Sequence, residues 1–196
     1  MILKFENIRF KRIAITITCV AILRILSILF QLNVDLFFEH NRWISILYIP
    51  AGINIFAVLI ANYQGMAGIA LGTFIWNLLA QHLSLDENIA IACVSGLTGG
   101  CAVYVFNWLS RQPSTNSTWS KMSLSRMIFL FALYGVINTA AHNLTFVSVL
   151  RDYELSLTNV THMFIGDFTG ALLLFIFLNL ATSLWMATQQ PSKRNV

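Results

Sequence analysis

A chain of 196 residues that is 57% apolar and only 10% charged, with a mean hydropathy of +0.72, is excluded from the ordinary soluble domains. Six membrane-crossing segments of about 20 residues each would take up most of its length, leaving no room for a kinase, cyclase, nuclease or ATPase module. The formal net charge of +4 points toward nucleic acid only until its distribution is followed, and no nucleic-acid partner is expected.

Residues 1–12, with Lys4, Arg9, Lys11 and Arg12, read as a basic tail before the first apolar run, 13–32. That run is too long for a signal peptide and lacks a small-x-small cleavage site, so it is expected to stay as a membrane helix. The polar stretch Asn33–Trp43 leads to a second span, 44–61, and Asn62-Tyr63-Gln64-Gly65 is a turn signal before a third, 66–80. The fourth span is expected at 89–109, then a hydrophilic loop at 110–126, a fifth span at 127–150 and a sixth at 160–187, with a tail at 188–196. The expected fold class is therefore all-α, a polytopic membrane protein built as a bundle of six transmembrane helices.

Charge orients this bundle, because short cytoplasmic loops collect Lys and Arg. With the N-terminus inside, nine basic residues fall on the cytoplasmic side, whereas the outer loops hold only Arg42 and Arg151. Six of the eight acidic residues fall in the outer loops. Both termini are thus expected in the cytoplasm, with the basic tails near anionic headgroups, each charge adding about 1 kcal/mol of attraction.

Two charges sit inside spans: Arg24 in the first and Asp167 in the outer third of the sixth. A charge at bilayer depth costs roughly 3 kcal/mol, so both should face the interior. Their similar depth suggests an ion pair, acting either as a structural clamp between the first and last helices or as part of a ligand or ion site. Residues four apart share a helix face, which groups Thr73, Asn77 and Gln81 in one row and Asn138 with His142 in another, Asn143 lying beside them. Pro50 removes a backbone donor and is expected to free a carbonyl one turn earlier, close to Gly52 and Asn54. Arg24, Pro50, Gly52, Asn54, Asn77, His142, Asn143, His162 and Asp167 all belong to the middle or outer half, and together they predict a polar pocket toward the non-cytoplasmic side.

The chemistry expected there is binding. His142 and His162 could sense protons or hold a metal, but no HxxxH or HExxH spacing accompanies them, and no metal or cofactor is expected. Cys19, Cys93 and Cys101 lie in apolar segments without CxxC spacing and read as small core hydrophobes. Gly65, Gly68 and Gly72, then Gly96, Gly99 and Gly100, have helix-packing spacings and predict close contact of the third and fourth spans. Without a nucleophile or metal constellation, no catalysis is expected.

Tyr48-Ile49-Pro50-Ala51-Gly52-Ile53-Asn54, then Gly65, Gly68, Gly72 and Asn77, then Gly166-Asp167-Phe168-Thr169-Gly170, occur in the order and separation of the type-one membrane-associated sensor family, MASE, which the chain resembles from about residue 44 to 178. The resemblance implies a multi-pass sensory module of the bacterial inner (plasma) membrane, whose signalling partner is a histidine kinase or a cyclic-di-GMP enzyme. The chain departs from the family in having about six spans rather than around eight, and it resembles a truncated form without an output domain. Signalling would then pass to a separate membrane or cytoplasmic partner, and the sequence leaves room for a homo-oligomer. The competing reading is the substrate-binding membrane subunit of a vitamin-type transporter, which has a similar size but docks its partner through an Ala-x-x-x-Ala face; here the first span has only Ala14 and Ala21, seven apart.

Overall fold

The computed structural model describes residues 2–41, 44–81, 83–110 and 122–189. Arg42, Trp43, most of the predicted loop 110–126, including Trp119, and the predicted tail beyond Gln189 therefore lie outside the described residues. The architecture is all-helical: α1 (Ile2–Phe38), α2 (Ile49–Ala61), α3 (Tyr63–Ala80), α4 (Leu85–Leu109), α5 (Leu124–Val149) and α6 (Leu157–Gln189), with two short antiparallel strands, β1 (Glu39–Asn41) and β2 (Ile44–Ser45), between α1 and α2. Among the described residues four stretches, Phe10–Asp35 of α1, α4, α5 and Leu157–Met186 of α6, are long and apolar enough to cross a membrane. By contrast, the 13 residues of α2 rise only about 20 Å against a hydrocarbon core of about 30 Å.

The helices α3 to α6 begin three or four residues before the expected spans, and larger differences fall at α1, which begins at Ile2 within the expected tail, and around the start of α2. The first helix runs on past residue 32 to Phe38, its polar end stitched by Asn33 Nδ2 to the Leu29 carbonyl (3.2 Å) and by Gln31 Nε2 to Asp35 Oδ1 (2.6 Å). The second helix starts at Ile49 rather than at residue 44, because Gln31 holds the preceding segment in a non-helical, bent path. Its Nε2 donates to the Leu47 carbonyl (2.6 Å) and its Oε1 accepts from the Ile49 amide (2.9 Å). Pro50 consequently sits in the first turn of α2, where its missing N–H has no intrahelical partner to lose. The carbonyl it was expected to free in mid-helix does not arise.

Helices alternate in direction, and their contacts give the order α1, α3, α4, α5, α6, α2, with α2 also meeting α4. Between α2 and α3 the chain reverses over one residue, Asn62, with φ 51° and ψ −127°. Gly65 then lies so close to the Ala57 carbonyl that a Cβ would overlap it. We expect Asn62→Val to destabilise the protein by about 2 kcal/mol more than Asn62→Gly, since a β-branched residue resists this backbone region. Chemical unfolding in detergent provides the comparison. The start of α4 is set by a capping box: Ser84 Oγ accepts from the Glu87 amide and Glu87 Oε2 from the Ser84 amide (2.7 Å).

The glycine spacings mark close packing, and the expected contact of the third and fourth spans is present beside others. Gly68 and Gly72 of α3 face Val20, Ala21 and the Cβ of Arg24 on α1, whereas Gly96 and Gly100 of α4 face Met66 and Ala70 of α3, and Gly99 faces Val58 of α2. The three cysteines are exposed on the outside of the bundle, which corrects their expected place in the core. A thiol is apolar enough to face lipid. One half of the bundle is filled by an apolar core of Ile55, Phe56, Phe106, Leu130, Phe131 and Tyr134 with their neighbours. The other half is hollow.

Candidate functional site

The hollow half follows from the sequence positions of the polar residues. Its lining comes from the C-terminal halves of α1, α3 and α5 and from the N-terminal halves of α4 and α6, together with β2 and the start of α2. In an alternating bundle those segments share one end. They enclose a cavity of about 380 Å³, within the range of small-molecule sites. Ile44, Ile91, Phe146 and Met163 wall it and pack with Leu150 and Tyr153 into a second apolar cluster. Leu32 is exposed and Asp35, Trp76 and Gln81 half-buried, so the mouth lies between the C-terminal ends of α1 and α3. Arg24 is 11 residues before Asp35, hence about 16 Å deeper along α1.

Arg24 is 3% exposed and Asp167 1%, and both line the cavity. They do not form the expected ion pair. Arg24 Nε donates to Thr73 Oγ1 (3.2 Å) and Nη2 to the Tyr48 hydroxyl (2.8 Å), while Asp167 Oδ2 accepts from Asn138 Nδ2 (2.8 Å) and from Thr139 Oγ1 (3.5 Å). Equal depth brings two residues to the same level, not to the same side of a hollow. Thr98 Oγ1 donates to Asn138 Oδ1 (2.7 Å), so α4, α5 and α6 are joined by a short polar chain ending on the carboxylate. Ser95 Oγ and His142 Nε2 are 3.4 Å apart on the same wall.

Of the residues the sequence assigned to a site, Arg24, Asn54, Asn77, His142 and Asp167 line the cavity, and so do Thr73, Gln81 and Asn138 of the two helical rows. The other four lie elsewhere. Pro50 and Gly52 are buried in packing, with Gly52 against Leu174 and the Gly170 carbonyl of α6. Asn143 is held by the Thr139 carbonyl (2.8 Å), the Met163 sulfur (3.3 Å) and the Tyr153 hydroxyl, so it ties the α5–α6 connection. His162, near the start of α6, is half-buried and does not line the cavity. Tyr48, Gln31 and Ser95 were missed. A helical signal existed for Gln31, seven residues and two turns after Arg24 on the same face.

Four lining residues carry a buried polar atom without a hydrogen-bond partner: Arg24 Nη1, Asn54 Oδ1, Asn77 Nδ2 and His142 Nδ1. Such an atom costs about 1–3 kcal/mol, so a concentration of them around one void is what a site for a polar guest leaves behind. Among the described residues no group of His, Cys, Asp and Glu is arranged to hold a metal ion.

The motif Gly166-Asp167-x-x-Gly170 is explained by two faces of α6. On one, Gly166 and Gly170 receive the backbone of residues 45–49: the Tyr48 amide donates to the Gly166 carbonyl (3.1 Å), and Cβ atoms at the two glycines would collide with the Ser45 and Tyr48 carbonyls. On the other, Asp167 enters the cavity. No curated protein and no solved structure matches the chain. A family does: MASE1 matches residues 17–195, reaching beyond the motifs at both ends, so that this multi-pass membrane chain belongs to the MASE1 family.

Proposed function

We propose that the protein is a membrane sensory module that binds a small polar ligand in the cavity and reports occupancy to a partner protein through α6. The observation that carries this reading is the convergence of four unpartnered polar groups on one deep, bilayer-level hollow. Membership of MASE1 supports the sensory role. No comparison favours the vitamin-transporter reading.

The positive-inside distribution puts the mouth on the outer face and both termini in the cytoplasm of a bacterial plasma membrane. That parity does not depend on whether α2 and α3 fully cross, because a helical hairpin enters and leaves by one face. Binding at Asp167 would act on α6, whose C-terminal part is exposed. From Leu178 to Met186 its residues are all exposed, which leaves that segment available to a signalling partner such as a kinase or cyclic-di-GMP enzyme.

Labelling tests the orientation. With Cys19, Cys93 and Cys101 replaced by serine, we expect Asp35→Cys to react with a membrane-impermeant maleimide on intact cells and Thr188→Cys to react only after permeabilisation. The reverse pattern would put the mouth in the cytoplasm and end the outer-sensor reading.

A further inference from the structure

Among the described residues, Arg24 and Asp167 are the two charges the fold buries most deeply, and it buries them facing one void without joining them. The hydrogen bonds each one makes go to neutral groups: two hydroxyls for the guanidinium, an amide and a hydroxyl for the carboxylate. Arg24 Nη1 has no partner. Desolvating an ion costs several kcal/mol unless an opposite charge and further hydrogen bonds compensate, and here the two charges make no direct contact with each other.

We propose, resting on the reading of the cavity as a ligand site, that its ligand is a small zwitterion of the amino-acid or betaine type, with its anionic group against Arg24 and its cationic group against Asp167. A lone anion would satisfy the guanidinium but place a second negative charge in a space Asp167 already lines. A lone cation meets the opposite objection at Arg24. One body carrying both signs completes both residues at once, and their separation selects its length. Asn77 Nδ2 and Asn54 Oδ1 add a donor and an acceptor, and Trp76 and Phe146 supply apolar wall for the rest of the molecule. Asp35, the remaining charged lining residue, is half-buried at the mouth and tied to Gln31, where solvent screens it.

The test uses the purified full-length protein in lipid nanodiscs, with thermal unfolding and calorimetry as readouts. The probes are free amino acids (glycine, leucine, phenylalanine, glutamine) and glycine betaine, each amino acid paired with its N-acetyl derivative, which keeps only the anion, and its amide, which keeps only the cation. At least one zwitterion should bind, with both single-charge forms weakened roughly tenfold or more. Asp167→Asn should erase the preference over the N-acetyl form, and Arg24→Gln the preference over the amide. The wild-type series decides the matter even if a variant fails to fold. A single-charge form binding as well as its zwitterion overturns the proposal while the cavity remains a ligand site. If no probe binds and mass spectrometry of the denatured, gently purified protein finds no retained small molecule, both the proposal and the ligand-site reading fall.

Discussion

Gly170→Ala will cost the protein about 3 kcal/mol or more of stability, and Gly170→Leu will yield no folded protein. A Cβ at residue 170 would overlap the Tyr48 carbonyl oxygen and lie 3.0 Å from the Ile49 nitrogen. These are backbone atoms, and they are not free to retreat. The Tyr48 amide is bonded to the Gly166 carbonyl, and one turn on the seam closes again at Gly52, where an added Cβ would lie 2.7 Å from Leu174 Cβ. Relief therefore requires α6 to separate from the start of α2, which also moves Tyr48 from Arg24 and distorts the cavity. Gly100→Ala is the control. The three atoms nearest its Cβ all belong to the Met66 side chain, whose sulfur and terminal methyl are its flexible end and can turn aside, so a change within about 1 kcal/mol is expected. Unfolding midpoints in detergent should separate the two variants clearly, and equal losses would show that the α2–α6 seam is not the tight one.

Much of this site was legible because helix faces are local. Thr73, Asn77 and Gln81 line one cavity for the reason that put them in one row, the pitch of a single helix, and the same holds for Asn138 and His142. Gly166 and Gly170 announced a close backbone, and Asp167 an inward face. What periodicity does not carry is lateral distance, so the shared depth of Arg24 and Asp167 predicts an ion pair although a hollow lies between them. Nor does it show where a chain bends back. Pro50 looks like a mid-helix break because the apolar run starts at Ile44, but Gln31, from another helix, keeps residues 45–48 out of the helix and moves the helix start to Ile49. Tyr48 owes its place beside Arg24 to that same bend. Asn143 shared a face boundary with His142, but it turned to Tyr153 and Met163, partners brought by the α5–α6 connection.

Asp167→Asn will be at least as stable as the parent protein yet without its preference for a zwitterion over the matching anion, whereas Asp167→Ala will fall about 2 kcal/mol below Asp167→Asn. Two effects oppose each other at this position. Burying the carboxylate has a desolvation cost that a direct contact with Arg24 would offset, and that contact is missing; neutralising the group removes the cost. Its oxygen also accepts the Asn138 amide that Thr98 orients from α4. Asparagine retains an oxygen for that bond, so only the charge is lost, and the balance favours the variant. Alanine loses the acceptor as well and strands Asn138 Nδ2 at the junction of α4, α5 and α6. Asn138→Ala should in turn add little to Asp167→Ala, because each substitution breaks the same chain. Denaturant titration of the four proteins measures these differences. If asparagine proves as damaging as alanine, the negative charge itself holds the helices together, and the residue is a clamp instead of a group kept, against stability, for a guest.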